Sequence, residues 1–151
     1  MNNTDIKNGS IASNIYFNDI SQTDRNDKKA LGVSIILYDS TSYKRNIFET
    51  LQKEFEQDGK KVLYIKAENM LHKLTSYLEK FFTTEGFHNL FSRYDCLLID
   101  DSHILQNRFA TQQEIANLIS KLLTVGVSVI IKSSKNLNVI EQVVSKKYFF
   151  E

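Results

Sequence analysis

The stretch LLIDD, residues 97–101, runs three large apolar side chains straight into two adjacent carboxylates. A strand that is apolar at consecutive positions suits a parallel sheet covered by helices on both faces. Such strands end at the carboxyl edge of the sheet, where open α/β folds place their ligands. Paired acids at that edge have two readings. They hold magnesium for a nucleotide, or they are a strand end that meets solvent. Apolar strands ending in Asp are common in α/β proteins, so position alone favours solvent.

Outward from this stretch, strands and helices alternate. VSIILY (33–38), KVLYI (61–65), YDCLLID (94–100) and VSVIIKSS (127–134) read as strands, and YFFE (148–151) as the start of a fifth. Between them, Ile47, Phe48, Leu51 and Phe55 recur at helical spacing up to Gly59. Met70, Leu71, Leu74, Tyr77, Leu78, Phe81 and Phe82 mark an amphipathic helix, with Phe81 and Phe82 read as core. A short helix is expected at 87–92. Ile115, Leu118, Ile119, Leu122 and Leu123 mark another before Gly126, and Val139, Ile140, Val143 and Val144 a last one. This alternation predicts one α/β domain with a parallel sheet between helical layers, over residues 15–151. Residues 1–14 are polar and read as a disordered tail. IYFNDI (15–20) reads as an apolar patch that docks on the body, and 21–30 as a loop.

Composition narrows the function. At 151 residues the chain is long enough to bury a sizeable core. Its net charge of +1 argues against nucleic-acid binding by bulk electrostatics. The single cysteine, Cys96, permits neither an internal disulfide nor a cysteine metal cluster, and reads as a packed core thiol. No apolar run approaches the ~20 residues of a membrane span, and the N-terminus lacks signal-peptide features. A cytoplasmic protein without membrane contact is expected. His72, His88 and His103 share no ligand spacing, so no metal is assigned.

Three loops lie beyond the carboxyl ends of the predicted strands. DSTSYKRN (39–46) has the place and length of a phosphate-binding loop, G-x-x-x-x-G-K-[ST]. Laid on that pattern, the glycines fall on Asp39 and Lys44, the lysine on Arg45 and the hydroxyl on Asn46. Backbone N–H groups wrap phosphate only where glycine allows it, and Asp39 adds negative charge beside it. The second loop carries Asp100 and Asp101. In a nucleotide hydrolase one such acid holds the magnesium shell and its neighbour polarises water. The third begins Ser133, Ser134, Lys135, where a polar residue would sense a terminal phosphate. By residue type alone, an ordinary polar turn is the favoured reading of the first two loops and at least as good a reading of the third.

The run from Tyr94 to Ser134 resembles the ATPase domain of the bacterial replication initiator DnaA. The family's YDVLLIDD strand is matched by Tyr94, Asp95, Leu97, Leu98, Ile99, Asp100 and Asp101. Arg108 falls on its basic turn position. Thr111, Gln112 and Glu114 match its helix start, and Ser133 and Ser134 its closing pair. KVLYIKAEN resembles its second strand, and ILY (36–38) its first. The resemblance implies a three-layer P-loop NTPase fold of the AAA+ class, with strand order 5-1-4-3-2 and no lid domain. It makes residues 39–46 a decayed phosphate loop. It also marks departures. The loop's glycines, lysine and hydroxyl are replaced, and Lys135 stands where the family has an acid. Lys147 lies near the arginine-finger position but cannot form the bidentate fork.

The resemblance implies a non-catalytic, DnaA-like module acting through protein–protein contact in the control of replication initiation or helicase loading. Its partners would be DnaA, the replicative helicase or its loader, with a homo-oligomer also compatible. Asp39, Lys44, Arg45, Asn46, Asp100, Asp101, Ser134 and Lys135 then form a degenerate nucleotide site, with no cofactor expected. One alternative is a weak ATPase, with Lys44 or Arg45 on phosphate and Asp100 on magnesium. Another is a single-stranded DNA module, since in the family the helices between the second and third strands face the DNA. Lys73, Thr75, Lys80, Phe87 and Arg93 are its candidate contacts, with binding expected to be weak.

Overall fold

The computed structural model describes residues 3–6, 31–39 and 47–150 of the chain, residues 3–6 by backbone alone. Six parallel strands form one sheet: β1 (Asn3–Ile6), β2 (Ser34–Asp39), β3 (Val62–Lys66), β4 (Cys96–Asp100), β5 (Ser128–Ser133) and β6 (Lys146–Phe150). Their order is β1-β6-β2-β5-β4-β3. The five strands expected from the sequence are β2 to β6, and they lie in the expected order. β5 inserts between β2 and β4, pairing Ile36 with Ile131 and Ile99 with Ile131 on its two sides. The backbone of Asn3–Ile6, read from sequence as part of a disordered tail, instead pairs with Lys147–Phe150. IYFNDI, the loop at 21–30 and residues Lys44, Arg45 and Asn46 lie outside the described residues.

Alternation along each strand divides the core in two. One layer joins Ile35, Leu37, Cys96, Leu98 and Ile130 to helix α1 (Ile47–Gln57), through Phe48, Leu51 and Phe55. The other joins Ile36, Leu97, Ile99, Val129 and Ile131 to α2 (Ala67–Phe81) and α3 (Phe109–Thr124), through Met70, Leu74, Ile115 and Ile119. Both faces of β2 and β5 are therefore buried, as their unbroken apolar runs require. Burial pushes the Cys96 thiol well above its ordinary pKa, which suits an inert core residue.

Two glycines set the joints beneath β2 and β5. Gly126 takes φ 85° where α3 ends, a left-handed conformation that other residues avoid. A Cβ on Gly32 would lie 2.0 Å from the Val127 carbonyl oxygen, so only glycine lets the start of β2 pass β5. The predicted last helix is only a 3-10 turn, Ile140–Val143. It stops because Ser145 is claimed by β2: its N–H donates to Ser34 Oγ at 3.0 Å and its hydroxyl to the Ser34 carbonyl at 2.8 Å. The predicted helix at 87–92 is likewise a 3-10 turn, Phe87–Leu90. No helix among the described residues is long and apolar enough to cross a membrane.

Candidate functional site

Parallel strands bring their carboxyl ends to one edge, and alternation decides which side chains meet there. Leu98 and Asp100 of β4 share the α1 face. So do Ile130 and Lys132 of β5, Leu37 and Asp39 of β2, and Val62 and Tyr64 of β3. Near the ends of these strands the face therefore carries two acids, Lys132 and Tyr64, with Lys66 last on β3.

The lysine takes the Asp100 carboxylate. Lys132 is 6% exposed, and its Nζ lies 3.6 Å from Asp100 Oδ1 and 5.7 Å from the centre of the Phe48 ring. The Tyr64 hydroxyl donates to Asp100 Oδ2 at 2.6 Å, and the Asp101 N–H donates to Oδ1 at 2.8 Å. Burial and this hydrogen bond to a carboxylate both push the Tyr64 phenol far above its ordinary pKa, so it stays a donor. Both Asp100 oxygens are thus engaged inside the protein. Asp101 takes a left-handed conformation (φ 51°), which turns it off the strand, and its Oδ2 lies 3.7 Å from Lys66 Nζ at the surface. Each of the two acids thus has a lysine of its own, Asp100 with Lys132 and Asp101 with Lys66.

A magnesium ion bound here would need a carboxylate oxygen facing an open coordination position. Asp100 offers neither oxygen free of a donor, and the Lys132 ammonium stands against it as a fixed positive charge. Asp39, 1% exposed, adds an acid at the mouth of the would-be phosphate loop. This donor set does not fit magnesium. Ser133 Oγ accepts the Lys135 N–H at 3.1 Å and donates to the Lys135 carbonyl at 2.6 Å, so the hydroxyl serves its own turn. Ser134 and Lys135 are exposed.

Lys147, near the expected finger position, lies under the sheet rather than at its rim. Its ammonium bonds the Glu141 carboxylate, which also accepts from the Tyr38 hydroxyl at 2.6 Å. Burial raises the Glu141 pKa, but the bonds from Lys147 and Tyr38 outweigh it and leave the carboxyl below its ordinary value. Tyr38 also accepts the Leu137 N–H at 3.3 Å and stacks on Phe149. Nearby, Gln112 is fully buried. It donates to the Leu105 carbonyl at 2.7 Å and accepts from the Val139 and Ile140 N–H groups at 3.0 and 3.4 Å. The helix-start motif that carries the resemblance thus pins the loop after β4 to the loop after β5.

The candidate DNA contacts do not form one surface. Phe87 is buried (5% exposed), its ring against Tyr77 and Phe91 with centroids 5.4 Å apart in each case, so it offers no stacking face. Phe81 and Phe82, read from sequence as core, are the exposed pair, at 49% and 90%. The cause is local: Phe82 adopts φ 61° and caps α2, leaving the apolar face of the helix. Lys73 and Lys80 stand two turns apart on one side of α2. Thr75 lies on the other side, lining a groove of about 720 Å³ between α2 and α3 with His72, Arg108 and Thr111. Arg93 turns onto the neighbouring Tyr94 ring at 5.1 Å.

Sequence reasoning missed Lys132 and Tyr64. Both were legible as residues of the same strand parity as Asp100, in strands that flank β4.

A family model of the bacterial DnaA ATPase domain matches residues 35–148. The chromosomal replication initiator protein DnaA of Onion yellows phytoplasma (strain OY-M) is 31% identical over 88 residues, 58% of this chain and 17% of that protein. Its counterpart in Sulfurimonas denitrificans (strain ATCC 33889 / DSM 1251) is 28% identical over 93 residues, 62% of this chain and 21% of that protein. The chain therefore spans only a small share of these relatives. Among solved structures, domain III of the Thermotoga maritima replication initiation protein DnaA is similar with TM-score 0.71 at 17% identity, covering 95% of this chain and 62% of that one. A replication initiator DnaA bound to AMPPCP and single-stranded DNA gives 0.68 at 18% identity, covering 93% and 44%. The sheet order and the motif between Tyr94 and Ser134 agree with the family match: the chain belongs to the bacterial DnaA ATPase-domain family.

Proposed function

We propose that this chain is a non-catalytic DnaA-like module. It binds another replication protein, the initiator itself or the helicase or its loader, and so modulates initiation. The observation that carries this reading is the pairing of Asp100 with Lys132 and Tyr64. An internal ammonium pairs with the acid that the family's plan gives to a divalent cation. The sequence of the phosphate loop supports the same conclusion, with Asp39, Lys44, Arg45 and Asn46 at the positions of its essential residues.

Two measurements test it. Isothermal titration with Mg-ATP is expected to give no dissociation constant below ~10 μM, about −7 kcal/mol. Light scattering of the chain mixed in turn with DnaA, the helicase and the loader of its own cell is expected to show a complex with one of them. A tight Mg-ATP complex, or no complex with any of the three, overturns the reading.

A second reading, a single-stranded DNA module, is favoured by one observation. The groove between α2 and α3 has Arg108, Thr75 and Thr111 on its walls, and Phe81 and Phe82 are exposed at the end of α2. Glu68 and Glu114 line the same groove and weaken its attraction for phosphate. Oligo-dT anisotropy at low salt, repeated with Arg108→Ala and Phe82→Ala, distinguishes this reading: binding insensitive to both variants removes it.

A further inference from the structure

Among the described residues, the sheet has an open edge at β3. This strand lies at the end of the sheet order, and among the described residues its ladder runs to β4 alone. The Lys61 carbonyl accepts from Asp95 and Cys96, so residue 61 faces β4. Backbone groups alternate sides along a strand. The N–H and C=O of Val62 and Tyr64 therefore point away from the sheet. Beside them, between β3 and α2, runs a second groove of about 570 Å³, lined by Leu63, Ile65, Asn69, His72 and Lys73 among others.

We propose that this edge is the docking site of the binding module. Its occupant would be an extended acidic segment of a partner protein, added as a further strand beside β3. The inference rests on the reading of the chain as a binding module and gives that module a surface. Charge selects the occupant. Lys61 and Lys66 bracket the strand, and Lys73 overlooks the groove from α2, all three exposed. The nearest acids are turned elsewhere: Asp95 accepts the Lys61 N–H at 2.7 Å, and Asp101 lies against Lys66. A second copy of the chain is a poor occupant. Two-fold pairing of like edges is antiparallel. Centred on Leu63, with Val62 of each copy paired to Tyr64 of the other, it sets Lys60 of each copy opposite Lys66 of the other, and like charges directly opposite are destabilising. An acidic strand with its carboxylates on the α2 face meets Lys61 and Lys73 as counterions, and its alternate apolar side chains lie beside Val62 and Tyr64 on the α1 face.

The test uses the full chain and a short fluorescein-labelled peptide of alternating Glu and Val. Anisotropy should show binding, and a Lys61→Glu, Lys73→Glu double variant should weaken it about tenfold. Hydrogen exchange read by NMR should show the Val62 and Tyr64 amides gaining protection when the peptide is present. Absence of binding overturns the proposal. So does binding without new protection at those two amides, the result expected for diffuse charge attraction, or equal affinity for a Lys-Val peptide. Tighter binding of oligo-dT, lost in the double variant, would assign the edge to nucleic acid instead and overturns it too. If the peptide fails while a replication protein still binds, the edge proposal falls alone. If the peptide binds and no replication protein does, the replication reading falls.

Discussion

The carboxyl end of the sheet carries two buried polar clusters, one under α1 and one on the α2–α3 side. Under α1, a lysine from β5 and a tyrosine from β3 close on the Asp100 carboxylate. On the other side, Gln112 ties three segments through their backbone, and Tyr38, Glu141 and Lys147 form a chain beside it. Both clusters include residues that match the DnaA pattern. In the second, the matching Gln112 works as a structural pin, a task that needs no ligand. In the first, the matching acid would need a cation from outside, and the protein supplies its own. The difference separates two meanings of a motif match. Residues that hold loops together serve the fold whatever the chemistry. Residues that hold a metal serve it only while they lack an internal partner.

The largest expected effect breaks the α1-face cluster. Lys132→Ala leaves the Asp100 carboxylate buried beside Tyr64 without its cation and should cost about 3 kcal/mol in urea unfolding. Lys132→Met combined with Asp100→Asn should recover most of that, because replacing a buried pair by neutral groups is often tolerated. A single Lys132→Ala with unchanged stability would mean that the pair contributes nothing, and the proposed replacement of magnesium would lose its basis.

On the other face, Gln112→Ala removes the partners of the Leu105 carbonyl and of two backbone N–H groups. An expected loss of about 2 kcal/mol follows from leaving buried polar groups unsatisfied. The folded variant should keep the Tyr64 hydroxyl bonded to Asp100, because that pair lies on the other face of the sheet. A loss below ~0.5 kcal/mol would contradict its role as a pin.

The smallest effect concerns pH. Glu141 is held below its ordinary pKa, so the folded state binds fewer protons there than the unfolded chain does. Its contribution is complete above the ordinary glutamate value of about 4.3 and is lost as pH falls through the lower folded value. Denaturation midpoints should drop over that acidic window, and drop less steeply in Glu141→Gln. Parallel profiles for the two proteins would show that the Tyr38–Glu141–Lys147 chain does not bear on stability.

Much of the fold was legible in the sequence because doubly buried strands leave unbroken apolar runs, and the helices between them keep one apolar stripe. VSIILY, CLLID and SVIIK could hardly be read otherwise. Features set by two distant segments were not legible. Ser145 ends its turn because Ser34 claims it, and Asn3–Ile6 has no apolar pattern to announce a strand. Phe82 and Phe87 exchange their expected places because a left-handed residue at the end of α2 turns one ring out, while the 3-10 turn after it folds the other in. In the candidate site, residue types identified the acids. The pairing of Asp100 with Lys132 and Tyr64 depended on strand order and parity together, and periodicity in one segment carries neither.

The strand order also governs when this chain can fold. β2 is made early, but both of its neighbours, β5 and β6, come from the last quarter of the sequence. Until those strands exist, β2 has no ladder partner, and the Asp100 carboxylate at the end of β4 has no Lys132. A nascent chain lacking β5 can pair only β3 with β4. The buried strand SIILYD waits without a ladder partner. Assembly is therefore late and all at once, with β5 as the wedge that joins the halves. During synthesis, the hazard lies in β2, made early, rather than in the last strands.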